Sequence, residues 1–500
     1  MLSRTTPSPL IAKPLQRILF NPVWCAFICS LLLSSVAIYY TELPNRDGML
    51  YIETAAIFLE EGIAAARENF DWVFFPVCIA LVAKITGLGL EVAAYVLNSL
   101  LFAGACATMV RIAQTQFQSI AWYTCLVVLS LPAFNEQRNE IIREVGWWLL
   151  CLQALLAALR WQRRPGFSNA LLPQLLLAVA CLFRIEGAVF FGALAIWPLF
   201  MRYSWQQRLK HSLSLSILPV TGCALLLAAF ASGQPDLGSR IVDYSTAANP
   251  FASLNKFNIV AEQFGTSILS HYSTDEAKSI LFFGLAATVI KKFITNNGVL
   301  IVPFAFFLYS QRLRCHFRSW QPQAQFFLIY TFVLLAFVMH NLFMSSRYVI
   351  FLNILTIPLV AIGMQRIFEL WPRWRVTFII CLVLAALANV VSLSPKKTQF
   401  REAGQWLKSH PELASGTYIE DPRTRYFAGP TFNRPKKPLL SPKEISNAIV
   451  QGEINHLVIY LPHRDTEKTE WLDSLDLEEI SRFSNKSGDA VVVLQRGESR

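Results

Sequence analysis

Apolar runs long enough to cross a bilayer recur between residues 18 and 393 of this 500-residue chain, and that recurrence leaves few folds open. Hydrocarbon offers no partner for peptide N–H and C=O groups, so a segment inside it must satisfy its backbone within a helix or a closed barrel. The runs recur at lengths near the ~20 residues with which a helix spans a bilayer. With 54% hydrophobic and 15% charged residues and a mean hydropathy of +0.42, most of the chain would be insoluble outside lipid. The expected fold is a polytopic α-helical membrane protein.

About eleven transmembrane helices are expected, near 18–40, 91–111, 119–134, 145–160, 169–183, 188–201, 211–232, 297–311, 323–343, 347–364 and 375–393. Several are shorter than the usual ~20 residues. The first run is too long, and lacks a small-residue cleavage site, to be a removable signal peptide. The net charge of +11 does not call for a nucleic-acid partner, because the basic residues gather in short turns, as cytoplasmic loops require. Those groups are Arg4/Lys13/Arg17, Arg160/Arg163/Arg164, Arg202/Arg208/Lys210, Arg312/Arg314/Arg318 and Arg366/Arg373/Arg375. One alternation fits them all and puts the amino terminus in the cytoplasm and the carboxyl terminus outside. The ten cysteines lie in or beside apolar runs and read as packing residues, not as a disulfide framework.

Outer polar chain then accumulates at 41–90, 135–144, 233–296 and after 394. Segment 72–87, which carries Lys84, reads as a juxtamembrane or re-entrant helix in the first outer loop, and 279–292 reads likewise. The chain divides into a membrane module over 1–393 and an extracytoplasmic α/β domain over 394–500. That small soluble domain is expected to hold helices at 399–410 and 442–450 and strands at 416–420, 456–460 and 489–495, with Pro430, Pro435 and Pro438 marking a loop.

Chemistry must lie in the polar breaks. Asp47, in Asn45-Arg46-Asp47-Gly48, opens an amphipathic helix and is either its N-cap or a general base at the membrane surface. In the second outer loop, Glu140 and Glu144 are spaced i, i+4, as are Asn139 and Arg143, which on a helix aligns carboxylates beside a guanidinium suited to phosphate. A solvated charged turn is the plainer reading. Arg184-Ile185-Glu186-Gly187 joins two short apolar segments, so its charges sit where ionisable residues are costly. Arg347-Tyr348 opens the tenth span. The chain has no phosphate loop, His-Glu-x-x-His, CxxC or Asp-x-Asp motif, so neither a nucleotide site nor a metal-held nucleotide-sugar site is expected.

Taken in order, Arg46-Asp47-Gly48 with Tyr51, Phe75-Pro76 through Lys84 and Gly87, Ile142-Arg143-Glu144, Arg184-Ile185-Glu186-Gly187, Arg347-Tyr348 and Phe400-Arg401-Glu402-Ala403-Gly404 resemble the integral-membrane glycosyltransferases of the C superfamily (GT-C fold). That group holds the protein O-mannosyltransferases and lipid A aminoarabinose transferases, and the likeness is to glycosyltransferase family 39. The resemblance implies a glycosyltransferase (EC 2.4) that moves a sugar from a polyprenyl-phosphate donor to a saccharide, lipid or protein acceptor. The reaction would be an inverting single displacement on the outer face of a bacterial inner (plasma) membrane. It assigns Asp47 as catalytic base with Glu144 beside it, and Arg143, Arg184, Arg347 and Tyr348 to the donor phosphate, supported by Arg46, Tyr51, Lys84 and Glu186. Many relatives carry Asp-Glu where this chain has Asp47-Gly48, so no cofactor or bound metal is called for, with a divalent ion left open. In the second loop Arg143-Glu144 stands where relatives have Arg-Asp. The alternatives are an O-antigen polymerase or ligase and a non-catalytic lipid-linked sugar flippase.

Overall fold

The computed structural model describes residues 21–231, 250–310, 320–391, 396–433, 439–475 and 477–497. Expectations that rest on Arg4, Lys13, Arg17, Arg312, Arg314, Arg318, Pro435, Pro438 and the stretch 233–249 lie outside the described residues. Helix predominates. Six helical runs among the described residues are long and apolar enough to cross a membrane: Pro22–Tyr39, Leu90–Gln116, His271–Ser310, Gln323–Asn341, Ser346–Leu370 and Pro372–Val390. Shorter apolar helices cover Phe74–Thr86, Gln118–Ser130, Phe167–Phe183 and Ile185–Phe200. The protein is an integral membrane protein with a small C-terminal sheet domain.

Two elements differ from the sequence expectation. The segment 279–292 is not a short separate piece, because its helix (Ala277–Asn297) continues through a 3-10 turn at Gly298–Leu300 into Ile301–Ser310. Lys291 and Lys292 do not end it, since long basic stems can lie along an apolar surface with their charged heads in water. The expected span 119–134 breaks at Leu131, whose φ of −63° and ψ of 113° are extended. The cause is Pro132, which disfavours helical geometry in the residue before it.

By internal packing the chain forms two units. The first holds residues up to Ser35, Asn98–Arg138 and Arg143–Val390. Within it the Ser346–Leu370 helix is buried on every side from Val349 to Met364, as expected of a helix that is apolar all round. A Cβ on Gly363 would overlap the Pro303 carbonyl, so the neighbouring Ile301–Ser310 helix reaches backbone contact there. Arg138 is wholly buried and donates to Asn135 Oδ1 at 2.7 Å, Ser30 O at 3.0 Å, Ser30 Oγ at 2.9 Å and Ser34 Oγ at 3.1 Å. It also lies over the rings of Phe102 and Phe134. The charge-rich 135–144 turn is therefore not simply solvated.

The second unit holds Val36–Leu97, Asn139–Ile142 and the chain from Val391 onward. Its sheet contains β1 (Thr417–Ile419), β2 (His456–Leu461), β3 (Leu477–Ser484) and β4 (Ala490–Arg496), in the order β1-β2-β4-β3. β1 and β2 are parallel, and β4 runs antiparallel to both β2 and β3. Side chains alternate between faces along a strand. Tyr418, Leu457, Ile459, Val492 and Leu494 meet Ile445, Ala448 and Ile449 of the Pro442–Val450 helix. On the other face Ile419, Val458, Val491 and Val493 meet Phe400, Ala403 and Leu407 of the Gln399–Lys408 helix. Strand β3 had no sequence expectation, because at the sheet edge it keeps an exposed, charged face.

Replacing Gly363 with Ala puts a methyl group into the Pro303 carbonyl. We expect a destabilisation of about 1–3 kcal/mol, seen as a lower thermal midpoint of the detergent-solubilised protein. An unchanged midpoint would mean that these helices do not approach so closely.

Candidate functional site

The site in the first unit is assembled by a glycine. Gly146 lies in the first turn of the Glu144–Arg163 helix, and any Cβ there would collide with the Phe183 ring. Its bare backbone lets Phe183 close on that helix and delivers the next residue, Arg184, to Glu144. Arg184 Nη1 donates to Glu144 Oε1 at 2.6 Å. The same guanidinium pairs with Glu186 through Nη2 and Nε. Gly187 completes the turn against Trp147 Nε1 and Cys181, where a Cβ would stand only 3.1–3.4 Å from its neighbours.

Arg347 arrives from another helix, Ser346–Leu370, and places Nε 3.2 Å from the same Glu144 oxygen. Glu144 is thus a buried carboxylate shared by two guanidinium groups, with a side chain only 5% exposed. Tyr348 presents its ring to Arg184, 4.9 Å from guanidinium carbon to centroid. Tyr330 fixes this corner by donating its hydroxyl to the Tyr348 carbonyl at 3.0 Å. Asn296 donates to the Ser346 carbonyl at 3.0 Å, and Asn353 donates to the Phe293 carbonyl at 2.8 Å, which locks the Ala277–Asn297 helix to the start of the Ser346–Leu370 helix. Beneath lie the rings of Trp147, Phe190, Tyr330 and Phe351, with Trp147 and Phe351 4.7 Å apart.

Five residues singled out in sequence therefore meet: Glu144, Arg184, Glu186, Arg347 and Tyr348. Arg143 occupies the N-cap of the Glu144–Arg163 helix, and its charge acts on Glu186. The expected helical stripe of Glu140 and Glu144 does not form, because the chain is non-helical until Glu144. Sequence reasoning passed over Gly146, Tyr330 and Asn296. Only the small residue two places after Glu144, and the Asn296-Asn297 pair closing an apolar helix, hinted at them.

Arg143, Arg184 and Arg347 against Glu144 and Glu186 leave one positive charge, three minus two. Arg347 also sits in the first turn of a helix, where the macrodipole disfavours a cation. Two helix starts meet there, and neither Arg143 nor Ser345 caps its helix with a side-chain bond. Helix N-termini with guanidinium groups form a receptor for an anion such as phosphate.

Two solved structures are similar to this chain along most of its length. They are the crystal structures of ArnT from Cupriavidus metallidurans in the apo state (13% identity, TM-score 0.40) and bound to undecaprenyl phosphate (12% identity, TM-score 0.43). Each match covers 93% of this chain and 97% of the other. No family model and no curated protein matches the sequence. At this level of likeness the chemistry of the site has to come from its own residues.

In the second unit the segment after the first apolar helix folds as the helix Arg46–Glu61, ended by Gly62 with φ +88°. Asn45, not Asp47, is the N-cap, and its side chain makes no capping bond. It instead accepts from Ile141 N at 2.9 Å and donates to Ile141 O at 3.3 Å. Asp47, half-buried, falls in the first turn, where the macrodipole favours a carboxylate. A Cβ at Gly48 would stand 2.6 Å from Asn45 Oδ1 and 2.9 Å from Ile141 Cβ. The second carboxylate of an Asp-Glu pair therefore has no room beside Asp47. Among the described residues no group of three His, Cys, Asp or Glu side chains could hold a metal ion. Tyr51 is buried against the rings of Phe70 and Phe75. Arg46 is mostly exposed, 3.8 Å from Asp421. Lys84 is exposed in the last turn of the Phe74–Thr86 helix, and Glu53 accepts from Asn433.

Substituting Gln for Glu144 keeps the size but leaves two guanidinium groups facing a neutral amide. We expect a loss of about 3 kcal/mol, the scale on which a buried ion pair fails when one partner is removed. Thermal unfolding in detergent measures it, and wild-type stability would show that Glu144 does not hold the arginines.

Proposed function

We propose that the protein is a membrane-embedded glycosyltransferase of the EC 2.4 class. It moves a sugar from a polyprenyl-phosphate donor to an acceptor hydroxyl, by an inverting single displacement on the outer face of a bacterial inner membrane. The observation that supports this reading best is the convergence of Arg184 and Arg347 on buried Glu144 at two helix starts. That arrangement suits a lipid phosphate, whose charge grows as it leaves.

In the proposed step the acceptor oxygen forms a bond to the anomeric carbon while the bond from that carbon to the phosphate oxygen breaks. The electron pair departs with the polyprenyl phosphate, and Arg143, Arg184 and Arg347 stabilise it more strongly in the transition state than in the ground state. Glu144 and Glu186 are positioning residues that hold the guanidinium groups in orientation. The acceptor proton goes to a carboxylate, which the sequence resemblance assigns as Asp47. Acceptor and sugar identity are open in this reading.

Two substitutions test the two halves of the proposal. Arg347→Lys keeps a point charge but loses the planar fork, so binding of a polyprenyl-phosphate sugar should weaken by about tenfold with the protein still folded. Equal affinity would remove Arg347 from the donor site. Asp47→Asn gives up a helix-dipole interaction of about 0.3–1 kcal/mol, so the variant should fold and bind donor. It should lose on the order of a hundred- to ten-thousand-fold in transfer rate. Near-normal transfer would move the base elsewhere, and a wild-type protein that moves the lipid-linked sugar across the membrane without cleaving it would replace the enzyme with a transporter.

A further inference from the structure

The second unit holds a cavity of about 400 Å³. Its wall combines the first outer loop, Asn139 and the opening of the C-terminal domain, and it carries Arg46, Lys396, Lys397 and Arg423. Glu42 lines it too and pairs with Lys396. Arg423 is held flat over the Phe400 ring, 3.5 Å from the centroid, and is clamped by Asp421 at 2.8 and 2.9 Å. Arg46 lies 3.8 Å from that same carboxylate. Lys396 pairs with Glu42, and Lys397 makes no ion pair among the described residues. Four cations against Glu42 and Asp421 leave two positive charges, four minus two. Such a surplus in a concave wall favours a doubly charged anion.

We propose that this cavity binds a phosphate monoester. Its charge of about −1.5 to −2 at neutral pH matches the surplus, and the volume admits the phosphate with part of the group that bears it. Arg423 would supply a pre-oriented fork, and Lys397 an uncommitted ammonium. The cavity begins at Tyr40, directly after the Pro22–Tyr39 span, and Lys396 follows shortly after the span that ends at Val390. Both follow apolar helices in the chain, and tyrosines and basic residues gather at the ends of membrane spans. The phosphate is carried either by a lipid headgroup or by a soluble phosphorylated molecule.

The test uses the full chain in phosphatidylcholine nanodiscs with and without phosphatidic acid, titrated with inorganic phosphate and with glucose 1-phosphate, and read by thermal shift. Binding of phosphate probes at submillimolar concentration, weakened about tenfold in Lys397→Gln, is expected, since a hydrogen bond to a charged group is worth about one such factor. Lys397 is exposed, so the variant should keep the wild-type midpoint without ligand. Stabilisation by phosphatidic acid that soluble phosphates compete away assigns a headgroup, whereas response to soluble phosphates alone assigns a soluble ligand; both support the site. Unchanged affinity in Lys397→Gln, with binding lost instead in Arg347→Lys, would place the phosphate at the arginine cluster and overturn the proposal. No response to any phosphate probe would overturn it as well.

Discussion

The absence of water from the bilayer's hydrocarbon governs the rest of this structure. Backbone groups there have to be satisfied within helices, and charged side chains are tolerated only where helices end or pack on one another. In the first unit, Glu144 opens a helix, Arg347 stands one residue into another, and Arg184 follows the end of a third. The site is a meeting of helix ends because helix interiors have no place for it.

A buried ion pair is weak evidence for stability, since removing two charges from water can cost more than their attraction returns. Here one carboxylate oxygen serves two arginines while Glu144 Oε2 is buried without a hydrogen-bond partner. Well-packed apolar residues of similar volume often stabilise a fold at least as well. The cation of Arg347 is held against the dipole of its own helix.

Asp47 sits in a setting of a different kind. Asn45 spends its amide on Ile141 instead of capping its helix, and Gly48 is held to the size of a hydrogen atom by the same isoleucine. The close approach leaves no room for a side chain at position 48. Asp47 remains the acidic residue of the helix's first turn.

Much of this was legible from residue order alone. Apolar length and basic turns announced a membrane protein. Five polar residues at helix breaks were singled out because an ionisable group beside an apolar run needs a reason to be there. The helices at 399–408 and 442–450 and three of the four strands followed from periodicity. Strand β3 escaped because an edge strand with an exposed charged face does not alternate. What the order of residues could not decide was partnership: that Arg184 and Arg347 would share one oxygen of Glu144, that Arg138 would be buried against serines and aromatic rings, and that Glu140 would lie on no helix with Glu144. The first two depend on close approach between segments tens to hundreds of residues apart, as where Gly146 meets Phe183. Local propensity carries no information about such contacts, because a glycine reads the same whether its missing side chain faces solvent or a neighbouring ring.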